Sequence, residues 1–277
     1  MERMRSRPKE FRHSKPVREA GAGETRRPRR DAHPQDHIIF GIHAAGAALS
    51  NPNRVIRHAY LTRNAATRFA GLIAARNIPA TEILPHDFDA LLGAGAVHQG
   101  ALLHCEPLAQ PALDDFLDAL PDGEPVRLAM LDQVTDPHNM GAVLRSAAAF
   151  GIAAVIVQDR HSPPLTGTLA KAASGALEHV KVIATVNLAR TLDRLKEHEF
   201  ECLGFDSGAS LRFDAAAVAG VRIVFVFGAE DKGLRRLVRE GCDRLYVLPA
   251  PGKIKSLNIS NAAAIVFYEA AKGHQAE

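Results

Sequence analysis

Residues 127–157 read RLAMLDQVTDPHNMGAVLRSAAAFGIAAVIV, and their pattern decides the fold class. A mostly apolar run, Arg127–Leu131, stops at a polar loop; a helical pattern over His138–Phe150 follows, and a second apolar run fills Ala153–Val157. Short apolar runs bounded by turn residues read as buried strands, and the 3.6-residue spacing between them reads as a helix. Two such strands joined by a helix form a parallel crossover unit that needs cover on both faces. Outward from this unit the alternation continues. Strands are expected at Val180–Ala184, Glu201–Gly204, Ile223–Phe227 and Leu245–Leu248, and helices at Leu165–Ala173, Leu188–Glu197, Leu234–Arg239 and Ile259–Ala271. The expected fold is α/β, built on a mostly parallel sheet.

Ligands of such sheets bind in loops at the carboxyl ends of strands, and three loops hold more polar or glycine residues than a turn requires. The first is Asp132–Arg145. Asp136 as N-cap with Pro137 at the first helical position makes a good helix start, which leaves the amides of His138 and Asn139 to hold an anion. Helical side chains lean toward the N-terminus, so Arg145 is expected to run over the bare Gly141 toward the same site; an ordinary solvated arginine is the alternative. The second loop, Phe227–Gly233, sets Glu230, Asp231 and Lys232 between Gly228 and Gly233, which permits close backbone approach to a ligand. It matches neither a dinucleotide fingerprint nor a P-loop. The third, Leu248–Ser260, is a Pro/Gly loop with two lysines that places Ser256 and Asn258 before a helix, capped by Asn258 or Ser260.

Charge divides the rest of the chain. Residues 1–36 carry 11 basic and 6 acidic side chains, whereas residues 106–125 carry 6 acidic and no basic ones. The leader 1–36 is Arg-rich and Pro-broken with almost nothing to bury, so disorder is expected, and its charge suits a phosphate backbone; a solubilising tail is the alternative. Residues 106–125 read as an acidic linker around a short helix at Leu113–Leu120. They separate a small α/β domain, 37–105, from a larger one, 126–277. In the small domain strands are expected at Val55–Leu61, Thr81–Leu84 and Ala101–Cys105, and helices at Ala65–Ala75 and His86–Leu92. Its histidines (His37, His43, His58, His86, His98, His104) show no ligand spacing. A module without chemistry beside a larger domain suggests substrate recognition.

Other classes are excluded. The longest mostly apolar stretch, Ala147–Val157, has 11 residues against the roughly 20 of a membrane-spanning helix. Residues 1–36 contain no apolar core of a secretory signal, and Glu2, Glu10, Glu19 and Glu24 do not suit a transit peptide, so a cytoplasmic protein is expected. Cys105, Cys202 and Cys242 are odd in number and widely spaced, which supports neither a disulfide framework nor a metal site.

Taken in order, the three loops resemble the motifs of the SpoU family of RNA ribose 2′-O-methyltransferases, within the SPOUT class. Asn139-x-Gly141-Ala-x-x-Arg145 is similar to the family's first motif, Gly228-Ala-Glu230-x-x-Gly233 to its second, and Ser256-Leu257-Asn258-Ile-Ser260 to its third. Lys171-Ala-Ala-Ser174-Gly175-Ala176 and Glu178-His179 also match, with Asp231 and Asn261 as departures. Phe40-Gly-Ile-His43-Ala and His98-Gln99-Gly100 resemble the branch that methylates a guanosine of large-subunit ribosomal RNA. The resemblance implies a C-terminal domain tied in a trefoil knot, S-adenosylmethionine held in it, a homodimer, an RNA substrate and no metal. It puts cofactor contacts at Gly228, Leu248 and Leu257, and sets Asn139, Arg145, Glu230, Ser256 and Asn258 around the reaction centre.

The implied chemistry is attack of a ribose 2′-hydroxyl on a sulfonium methyl group. An alcohol is a weak nucleophile, so its proton must be drawn off and the reacting atoms aligned. A guanidinium with a reference pKa above about 12 is a poor base, so Arg145 is expected chiefly to clamp the neighbouring phosphate and polarise the hydroxyl. A transfer-RNA methyltransferase, a catalytically silent RNA-binding homologue and an NAD-type oxidoreductase stay open as alternatives; the last lacks a glycine fingerprint after any strand.

Overall fold

The computed structural model describes residues 38–165, 167–218, 220–229, 232–253 and 256–272. The basic leader, His37, Glu230 and Asp231 lie outside the described residues. The first sheet holds β1 (Ile38–Phe40), β2 (Ile56–Leu61), β3 (Ala80–Glu82) and β4 (Ala101–Cys105), with α1 (Ile42–Ser50), α2 (Arg63–Ala75) and α3 (Phe88–Leu92) between them. Its order is β1-β4-β2-β3, antiparallel except for the parallel β2–β3 pair. Neither β1 nor α1 stands out in the sequence. β1 is three residues long, and α1 is so rich in small apolar residues that Ala44, Ala45, Ala48 and Leu49 are buried without a polar stripe to mark the opposite face.

After α4 (Leu113–Asp118), the chain alternates as expected through β5 (Val126–Asp132), α5 (Pro137–Ala149), β6 (Ala154–Gln158), α6 (Gly167–Ala172), β7 (Lys181–Thr185), α7 (Leu188–Glu197) and β8 (Glu201–Phe205). It closes with β9 (Leu211–Arg212), β10 (Arg222–Gly228), α8 (Arg236–Gly241), β11 (Arg244–Val247) and α9 (Ile259–Lys272). The second sheet runs β7-β6-β5-β10-β8-β11-β9, with every pairing parallel. Successive residues of a strand face opposite sides. Along β5, Leu128 and Met130 pack with Leu188, Leu192 and Val238 of α7 and α8, while Ala129 and Leu131 pack with Val143 of α5 and Phe267 of α9. Both faces are thus covered, and the strands read as near-continuous apolar runs for that reason.

Residues 106–125 lie against the second sheet. Leu117 is buried in the α7 side of the core, and Gln110 Oε1 accepts a 2.8 Å hydrogen bond from the β7 amide of Val182. The other face of the core runs without a break into the first sheet, from Leu131 and Ala176 to Leu49, Leu61 and Leu103. Beside that seam lies a buried ion pair. Arg54, after α1, donates to Glu178 at 2.6 Å with side-chain exposures of 6% and 2%, and Asn51 Nδ2 donates to the same carboxylate at 2.6 Å. Burial pushes the Cys105 thiol up to about 11 and that of Cys242 up to about 12, so both pack as small, inert groups.

Candidate active site

The first loop begins where β5 ends. Asp132 is fully buried, and its carboxylate accepts from the Arg235 amide at 2.9 Å and from Arg235 Nε at 2.7 Å. This pair ties the end of β5 to the segment leaving the second loop. Four residues on, the Asp136 side chain caps α5 by accepting from the amides of His138 (3.1 Å) and Asn139 (3.3 Å). The anion site expected at those amides is therefore filled by the protein's own capping carboxylate. The path expected for Arg145 over Gly141 also needs correction. Gly141 is buried, and a Cβ built there would overlap Ala172 Cβ of α6, so Gly141 serves close helix packing. Arg145 stands on the exposed face of α5 and has no hydrogen-bond or ion-pair partner among the described residues.

The second loop closes tightly. β10 ends at Gly228, level with Asp132 across the sheet, and the Gly233 amide donates to Ala229 O at 2.8 Å. A Cβ at Gly228 would overlap the Gly233 carbonyl carbon, so only glycine admits this return. Gly233 takes φ +61° and faces Asp206. Glu230 lies outside the described residues.

The third loop resolves the capping question in favour of Asn258. Its Oδ1 accepts from the Ser260 amide (2.8 Å) and from Ser260 Oγ (2.6 Å). With Oδ1 so engaged, Asn258 Nδ2 points away and donates to Asn139 Oδ1 at 2.9 Å. Two candidate residues 119 positions apart are thereby joined.

Beside this pair lies a cavity of about 270 Å³. Gly228, Leu248, Ser256 and Leu257, all singled out in the sequence, line it. So do Phe205, Asp206 and Tyr246, which sequence reasoning missed. The rule that directs attention to strand ends applies equally to the end of β8, where Phe205 and Asp206 stand, and Gly204–Ser207 was legible on that ground. Among the expected site residues that are described, Asn139, Arg145 and Asn258 are not part of this lining.

The cavity suits S-adenosylmethionine in its chemistry. Leu248, Leu257 and Phe205 offer apolar walls for a heterocycle, and the glycine backbones leave room beside them. Asp206, with 15% of its side chain exposed, offers an acceptor for ribose hydroxyls. Gly233, whose φ of +61° suits glycine, sets its backbone beside Asp206, with a built Cβ 3.6 Å from Asp206 Oδ2. Among the described residues no cluster of His, Cys, Asp and Glu could hold a metal ion, and no helix is long and apolar enough to cross a membrane.

A model of the SpoU rRNA methylase family matches residues 127–268, and a model described as RNA 2′-O ribose methyltransferase substrate binding matches residues 38–111. The chain is 38% identical over 240 residues to the 23S rRNA (guanosine-2′-O-)-methyltransferase RlmB of Nitrosomonas europaea, covering 85% of this chain and 91% of that protein. It is 38% identical over 238 residues to the protein of the same name from Escherichia coli K12, covering 85% and 98%. Among solved structures it is similar to the SpoU methyltransferase AviRb from Streptomyces viridochromogenes in complex with AdoMet, with a TM-score of 0.69 and 20% identity over 86% of this chain and 90% of that one. An AdoMet-bound rRNA methyltransferase from Sinorhizobium meliloti gives a TM-score of 0.70 and 18% identity over 87% and 88%. At these identities the two structures speak to the fold.

Proposed function

Because the chain belongs to the SpoU rRNA methylase family, we propose that it transfers the methyl group of S-adenosylmethionine to the ribose 2′-hydroxyl of a guanosine in 23S ribosomal RNA. The observation that carries this reading is the 2.9 Å Asn258–Asn139 hydrogen bond, which joins the first and third motifs next to the cavity lined by Gly228, Leu248 and Leu257. The cofactor, when bound, supplies a methyl group on a sulfonium centre. The protein's residues must bring the hydroxyl oxygen in line with that methyl group, and draw off the hydroxyl proton as the new carbon–oxygen bond forms.

Asn139 and Asn258 are held by their mutual bond and by Ser260, so they orient the ribose without reorganising at the moment of reaction. Arg145 acts from the exposed face of α5, clamping the phosphate beside the target ribose and polarising its hydroxyl. Glu230 and Ser256 complete the reaction centre. The same reading makes the third loop part of a trefoil knot, assigns recognition of the RNA to residues 37–105, and makes the working unit a homodimer in the cytoplasm. Exposed apolar side chains on α9, Ile265 and Tyr268, are consistent with a partner surface. The test is to map 2′-O-methyl groups in ribosomal and transfer RNA from cells with and without this protein. Loss of one 23S guanosine methylation supports the assignment, and unchanged maps refute it.

A further inference from the structure

A second cavity, of about 410 Å³, lies between the small N-terminal α/β region and helices α5 and α6, and shares no lining residue with the cofactor cavity. Phe40 of β1, Leu91 of α3 and Val97 of the segment leading to β4 line it on one side, and His138 of α5 and Lys171 of α6 on the other. Its volume falls within the roughly 300–1,000 Å³ of small-ligand sites. Val97 is 61% exposed and Leu91 40%, so apolar side chains are held open toward solvent at its wall. The segment that carries Val97 is fixed at its base. His98 stacks on Phe88 with ring centres 4.0 Å apart, and Gln99 Oε1 accepts from the Ile42 amide at 3.1 Å. Lys171 Nζ sits 5.5 Å from the centre of the Phe40 ring and has no hydrogen-bond or ion-pair partner among the described residues.

We propose that this cavity receives the guanine base of the nucleotide whose ribose is methylated. The inference rests on the activity proposed above. A base hangs from the ribose carbon next to the one that carries the 2′-hydroxyl, so its pocket must adjoin the residues that hold the ribose. His138 lines the cavity and Asn139, its chain neighbour, makes the bond to Asn258. Apolar walls accept the faces of a base turned out of its stack, which a phosphate would not require. Lys171 supplies donors only, which match the O6 and N7 acceptors of guanine and are opposed by the 6-amino group of adenine.

The test uses the full chain with RNA carrying guanosine, inosine or 2,6-diaminopurine riboside at the target position, and measures kcat, KM and, by calorimetry, cofactor affinity. The unsubstituted protein is expected to methylate guanosine and inosine alike, since both keep O6 and N7, and diaminopurine riboside at least about tenfold less efficiently. Lys171→Met should raise KM for guanosine about tenfold and erase that preference, with cofactor affinity unchanged. Val97→Trp, which fills the cavity from an exposed position and so spares folding, should raise KM for all three RNAs. Wild-type KM and selectivity in both variants would overturn the base pocket, as would a loss of cofactor affinity in Lys171→Met. An unsubstituted protein that methylates none of the RNAs would instead overturn the activity on which the pocket rests.

Discussion

Asn258 carries two tasks at once, capping α9 and holding Asn139, and its replacement should register in two measurements. Asn258→Ala removes a cap worth about 1 kcal/mol and the Nδ2 donor to Asn139 Oδ1, so urea denaturation should show a destabilisation of that order and methyl transfer should fall at least about tenfold. Unchanged turnover would reduce Asn258 to a cap alone. Arg145→Ala should lower methylation by about a hundredfold or more at undiminished cofactor affinity, and Arg145→Lys should not rescue it, since an ammonium lacks the planar fork. Near-normal turnover in either variant would return Arg145 to a solvated helix residue. The capping role of Asp136 was legible in Asp-Pro. That the same carboxylate consumes the amides of His138 and Asn139 was not, because a sequence shows which donors a helix start leaves open but not which oxygen reaches them first.

At the scale of elements, the long crossover units were legible because both-sided burial makes β5, β6, β8 and β10 near-continuous apolar runs, and their helices keep a 3.6-residue pattern. β1 and β9, at three and two residues, are too short for any period to declare itself. The close return after β10 was visible as a pair of glycines. Its reason, contact between Gly228 and the backbone of Gly233 and Leu234, needed the structure. Gly228→Ala forces this return open, and because Gly228 lies at the end of β10, the strand should keep its fold. A calorimetric titration should then show S-adenosylmethionine affinity lowered at least about tenfold. Wild-type affinity would mean that this loop does not shape the cofactor site.

Across the whole molecule, composition marks off the acidic segment 106–125 but says nothing of how closely its two flanks pack. Arg54 and Glu178 lie on opposite sides of that segment in sequence and form a buried pair. Removing one partner of such a pair leaves a charge unpaired at a cost of about 3–5 kcal/mol. Arg54→Met should therefore lower the urea stability of the full chain by several kcal/mol. A change within about 1 kcal/mol would show that the pair contributes little to holding the two flanks together. At this scale the leader offers basic charge, with 11 basic against 6 acidic side chains. If residues 1–36 neutralise RNA phosphates, deleting them should flatten the salt dependence of RNA binding by up to about 0.7 log–log units for each single-strand phosphate set free; an unchanged slope would make them a solubilising tail.

The central claim is methyl transfer to one ribose hydroxyl, and the most direct measurement is incorporation of isotope-labelled methyl from S-adenosylmethionine into a 23S rRNA transcript, followed by mass-spectrometric assignment of the modified nucleoside. The account predicts 2′-O-methylguanosine at a single position, approaching one methyl per transcript and abolished by Arg145→Ala. No incorporation, or a methyl group on a base nitrogen or carbon, would contradict it.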